Sequence, residues 1–70
     1  MIIKRISINN NSVMLYKAIT AKKTRPWWGV ATFDEHNKPV TLYSFGGIES
    51  LDRAEQVYNL VVGLVYSEVA

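Results

Sequence analysis

The 70-residue sequence predicts a small α+β domain, an antiparallel sheet of about four strands followed by one C-terminal helix packed on one face. Three observations predict it. Apolar and polar side chains alternate through the first 45 residues, clusters of Asn, Asp, Pro and Gly interrupt that alternation, and after Ser50 the apolar period changes to three and four residues.

Met1 to Asn9 places Ile2, Ile6 and Ile8 on one side and Arg5, Ser7 and Asn9 on the other, the pattern of a half-buried strand. Lys4 interrupts the apolar side, which a long stem tolerates by carrying its ammonium to the rim. Asn9 to Ser12 form a turn, since Asn accepts positive φ and bonds its own backbone. Ser12 to Ala21 reads as a second strand because Val13, Leu15 and Ile19 alternate and a short Asn-rich turn leads to an antiparallel neighbour. A helix capped by Ser12 is the alternative for this segment.

Lys22 to Pro26 is a basic connection, and Trp27 to Glu35 a third strand with Trp28, Val30 and Thr32 opposite Trp27, Gly29, Ala31 and Phe33. Asp34 to Pro39 is a polar turn, and Val40 to Phe45 a fourth strand with Val40 and Leu42 opposite Thr41, Tyr43 and Phe45. Gly46 and Gly47 are expected to end it. Ser50 then caps a helix from Leu51 to Val69, with Asp52 and Glu55 near its positive end. Its core stripe is Leu51, Ala54, Tyr58, Val61, Val65 and Val69.

The same helix carries Val57, Leu60, Val62 and Leu64 around most of its second half, so one sheet cannot cover all of its apolar surface. Val57 to Tyr66 is too short to span a bilayer, which takes roughly 20 residues. Self-association through Val57, Leu60, Val61, Leu64 and Val65 is therefore expected, and it suits a chain whose length allows only a small core.

Eight basic residues face six acidic ones, and they are segregated: residues 1 to 33 carry +6 and residues 34 to 70 carry −4 of the net +2. An anionic partner or a second copy of the chain would use that asymmetry. It is equally what two mutually neutralising halves would show. The absence of cysteine rules out a disulfide framework and thiolate zinc. With Lys4 and Arg5 inside the first apolar run, no secretory leader is read there, and the expected compartment is the cytoplasm.

Chemistry-bearing clusters are sparse. Asp34, Glu35 and His36 offer adjacent ligands or acid/base groups, but sequence neighbours rarely converge on one point, so a solvated turn is the expected role. Glu49, Asp52 and Glu55 are accounted for by helix capping and the dipole. No cysteine, a single histidine and no phosphate-loop lysine after Gly46-Gly47 argue against an enzyme, a metal site or a cofactor.

Lys22, Lys23, Arg25, Trp27 and Trp28 form the one segment with binding chemistry. Trp and Arg anchor protein interfaces, while indoles beside lysines also suit stacked bases and phosphates. Adjacent tryptophans on a strand face opposite sides, so the helix covers at most one. The expectation is a homo-oligomeric, non-enzymatic protein-interaction module that modulates, by occlusion, a larger macromolecule, in the manner of the small inhibitory and accessory proteins of phages and mobile elements. A single-stranded nucleic-acid binder using the same basic segment is the alternative, and a small enzyme built on the Asp34 to His36 turn is a third.

Overall fold

The computed structural model describes residues 1–18 and 26–69, and their side chains except at positions 44–46 and 69. Four strands, β1 (Ile2–Ile8), β2 (Asn11–Ala18), β3 (Trp27–Phe33) and β4 (Pro39–Ile48), precede one helix, α1 (Leu51–Val69). The strands lie side by side in chain order, each antiparallel to the next. α1 crosses one face of this meander and touches all four strands.

Local chemistry explains the connections. Asn9 and Asn10 both take positive φ, 47° and 72°, as a two-residue hairpin of the type that matches strand twist requires. Between β3 and β4 the Asp34 carboxylate accepts the N–H groups of His36 and Lys38, each at 2.9 Å, and Asn37 turns the chain with φ 62°. At the helix start the Ser50 hydroxyl accepts the Arg53 N–H at 3.5 Å and the Ser50 carbonyl accepts the Ala54 N–H at 3.0 Å.

The core lies between α1 and the middle of the sheet. Val13 and Leu15 of β2, Val30 of β3, Ile48 of β4 and Ala54, Tyr58 and Val61 of α1 form one buried cluster. Ile3, Trp28, Tyr43, Val57, Val62 and Val65 pack around it. Burying each large apolar side chain contributes about 1.5–3 kcal/mol, so this small cluster supplies much of what holds the helix down.

Three expectations change. Gly46 and Gly47 do not end β4, which continues to Ile48. Between the pairs Trp28–Ile48 and Val30–Tyr43, β3 takes two steps and the antiparallel β4 takes five, and Gly47 at φ 103° supplies the backbone angle this irregularity needs. The outcome is that Ile48 reaches the core beside Trp28. At the start of β1 a similar shift between Ile2 and Lys4 puts Ile2 opposite Tyr16, on the side away from the helix, and Ile3 takes the core position expected for Ile2. Leu51, expected in the core stripe, is 39% exposed, and the burial of the first turn falls to Ala54. The segment expected as a strand from Ser12 to Ala21 is extended as far as Ala18, and residues 19–21 lie outside the described residues.

Lys4 stays on the helix side of β1, opposite Leu15, as its stem permits. Its ammonium lies 3.7 Å from the Glu55 carboxylate and 5.9 Å from the centre of the Tyr58 ring. The partly exposed pair ties the β1 edge to the helix, although a contact of this kind is worth only about 0–1 kcal/mol.

Two glycines give opposite predictions. A Cβ on Gly29 would overlap the Tyr16 ring, which crosses the strand there, so Gly29→Ala should destabilise by about 1–3 kcal/mol. A Cβ on Gly63 meets nothing within 4 Å, so Gly63→Ala should stabilise by about 1 kcal/mol through helix propensity alone. Urea denaturation of the two variants measures both shifts.

Burial raises the phenol pKa values of Tyr16 and Tyr58 above 10.0. The folded state therefore keeps protons that the unfolded chain releases, and stability is full below pH 10 and falls as pH rises past it. Alkaline titration followed by circular dichroism should show this loss, and Tyr58→Phe should flatten it.

Candidate interaction surfaces

The register of β2 against β3 sorts every side chain of the middle strands onto one face or the other. Val13, Leu15 and Lys17 lie opposite Thr32, Val30 and Trp28 beneath the helix, while Ser12, Met14 and Tyr16 lie opposite Phe33, Ala31 and Gly29 on the reverse face. No described element covers that reverse face. Leu42, paired with Ala31, extends it onto β4 and is 60% exposed.

Trp27 and Trp28 separate as neighbours on a strand must. Trp28 packs against the core, with the Lys17 ammonium 5.8 Å from its ring centre. Trp27 stays on the uncovered face and receives Tyr16 edge-on, the two rings 5.8 Å apart at 76°. The close crossing is possible because Gly29, opposite Tyr16, has no side chain in the way. Both indoles are half-buried, so the uncovered one is partly sheltered by its own chain as well as open to a partner.

At the far end of the same face Arg5 lies over the Phe33 ring at 5.8 Å and donates to the Ser12 hydroxyl at 3.3 Å and the Asn37 side-chain oxygen at 2.9 Å. This cluster joins β1, β2, β3 and the β3–β4 turn. Sequence reasoning missed it, since nothing local pairs Arg5 with a residue 32 positions away. Of the residues expected to bind a partner, Lys22, Lys23 and Arg25 lie outside the described residues.

The helix holds the second surface. Val61 is 1% exposed and belongs wholly to the chain's own core, which removes it from the expected self-association set. Val57 and Val65 are half-buried against that core. Leu60 and Leu64 are 66% and 50% exposed, large apolar side chains held out to solvent one turn apart.

Two shallow grooves flank the second half of α1. One, of about 270 Å³, is lined by Ile6, Ser7, Ile8, Asn9, Val62 and Tyr66 on the β1 side. The other, about 80 Å³, lies on the β4 side among Asn11, Thr32, Phe33, Val40, Val65 and Glu68. Neither brings together an acid and a base, and both are smaller than the roughly 300–1,000 Å³ of ordinary small-molecule sites.

Asp34, Glu35 and His36 remain in the hairpin turn. His36 and Glu35 lie 3.5 Å apart at the surface, and the Asp34 carboxylate is occupied by the two backbone N–H groups of the turn. Among the described residues no three of His, Asp and Glu are grouped to hold a metal ion. Also among them, no helix is long and apolar enough to cross a membrane.

Because the turn depends on Asp34 and not on the imidazole, Asp34→Ala should cost about 1–2 kcal/mol, whereas His36→Ala should stay within about 0.5 kcal/mol of the parent. Thermal or chemical denaturation of the two variants checks the contrast, and metal analysis of the purified protein checks that neither change removes a bound ion.

Compared with protein-family models, with curated proteins and with solved structures, the chain gives no match, so its function is argued from these two surfaces.

Proposed function

We propose that the chain is a non-enzymatic protein-interaction module that self-associates through its helix and binds a larger protein with the uncovered face of its sheet, modulating that protein by occlusion. One observation carries this reading. The face away from the helix presents Met14, Tyr16, Trp27, Phe33 and Leu42, an apolar and aromatic surface of the composition that protein interfaces enrich. The same proposal places the module in the cytoplasm, where a small domain has to hold together without disulfides, as this cysteine-free chain does.

The aromatic rings argue for a protein over a nucleic acid. Base stacking needs open ring faces and free cations beside them. Here Arg5 lies over Phe33 and is bonded to Ser12 and Asn37, Lys17 lies over Trp28, and Tyr16 meets Trp27 edge-on. These rings and cations thus engage each other first. The basic run Lys22, Lys23 and Arg25 leading into Trp27 is the feature that favours the nucleic-acid alternative.

The test is capture from the native host with the tagged chain, with and without nuclease, at low and high salt. A protein that stays bound through nuclease and salt, and is lost with Trp27→Ala but retained with Lys22→Ala/Lys23→Ala, is the expected result. An anchor of this kind costs about 2 kcal/mol or more when truncated, roughly a thirtyfold loss of affinity. Recovery of nucleic acid whose binding weakens steeply with salt, and whose salt slope flattens in the double lysine variant, would overturn the proposal.

A further inference from the structure

The exposed leucines of α1 belong to a longer pattern. Arg53, Val57, Leu60 and Leu64 follow one another at spacings of four, three and four residues, the repeat by which one helix packs against another. At about 100° per residue they occupy one narrow sector, roughly 90° around the helix from the buried stripe of Ala54, Tyr58, Val61 and Val65. That sector faces the β4 side. Val65 and Glu68 line the groove with Val40 of β4, whereas Val62 and Tyr66 line the one with Ile6 and Ile8 of β1.

The two ends of this seam carry opposite charge. Arg53 stands at its start and Glu68 at its end, both exposed, and neither makes an ion pair among the described residues. The midpoint of Val57 and Leu64 is also the midpoint of Arg53 and Glu68. An antiparallel pair of α1 helices related by a two-fold axis at that midpoint therefore sets Val57 against Leu64 of the second copy, brings the two Leu60 side chains together, and places each Arg53 beside the other copy's Glu68. A parallel pair would set Arg53 against Arg53 and Glu68 against Glu68. Antiparallel packing also opposes the two helix dipoles.

We propose that a second copy of this chain covers the Val57, Leu60 and Leu64 seam, its α1 antiparallel to the first, with Arg53 and Glu68 exchanged across the two-fold axis. The inference rests on the self-association proposed above and gives it a geometry. The sheet edges are poorer routes to the same end. β1 has a register shift and the inward-directed Lys4, and β4 begins at Pro39 and has two irregularities, devices that discourage strand addition. The seam from Arg53 to Glu68 is only about 22 Å long, and a standard interface buries about 800 Å² per partner, so a micromolar and not a nanomolar dimer is expected. Val40, 65% exposed beside the seam, adds apolar surface to it.

Sedimentation equilibrium of the full chain at low ionic strength tests the arrangement, with circular dichroism to show that each variant is folded. The parent should dimerise and Leu60→Asp, a change at an exposed position, should be a folded monomer. Arg53→Glu alone and Glu68→Arg alone should each weaken the dimer about tenfold, since each reverses two ion pairs per dimer. Arg53→Glu/Glu68→Arg in one chain, or an equimolar mixture of the two single variants, should regain parental affinity within about twofold. A parent that stays monomeric at several hundred micromolar overturns self-association itself. A parental dimer that the single reversals leave unchanged or strengthen overturns the antiparallel register while leaving self-association standing.

Discussion

A single helix can cover a single face of a sheet, and most of this molecule follows from that constraint. Ala54, Tyr58 and Val61 descend onto Val13, Leu15 and Val30, and the seven-residue buried cluster they form with Ile48 is what keeps α1 on the sheet. Much of the apolar material that the cluster does not absorb remains at a surface. On the sheet this is the reverse face of β2 and β3, and on the helix it is the flank carrying Leu60 and Leu64. The described elements form one sheet and one helix, and among them no third layer covers either surface.

The strand irregularities serve the same core. β4 spends three extra residues between Tyr43 and Ile48 so that Ile48 returns to the helix side next to Trp28. β1 shifts between Ile2 and Lys4 so that Ile3 packs inward while the Lys4 ammonium reaches Glu55 and Tyr58. Both devices sit on the outer strands of the sheet, where an unbroken edge would invite pairing with another chain. Filling the core and discouraging edge association are thus achieved by the same backbone departures.

The two candidate surfaces differ in how far the molecule has already satisfied them. On the sheet face, Tyr16 shelters Trp27, and Arg5 is held by Phe33, Ser12 and Asn37. A partner there would meet a preformed aromatic surface whose side chains need little ordering, which lowers the entropic cost of binding. On the helix flank, Leu60, Leu64, Arg53 and Glu68 touch no such network among the described residues. Their complementarity lies in their order along the helix.

The sequence by itself determined three of the strands within an antiparallel sheet, the boundaries of α1 and the division of Trp27 and Trp28 between two faces, and left the β2 segment open between a strand and a helix. These depend on periodicity, turn residues and capping, all of which act between residues a few positions apart. It also marked the helix as too apolar for one sheet to cover. Only the tertiary structure decided which of those apolar positions the core takes. Val61 and Leu60 are adjacent and equally apolar, yet one is 1% exposed and the other 66%, because the angle at which α1 meets the sheet assigns one to the interior. The passage of β4 through Gly46-Gly47, the replacement of Ile2 by Ile3 and the Arg5 cluster belong to the same class. Each depends on a residue contributed by a distant strand, and alternation along one segment holds no information about what the opposite segment offers.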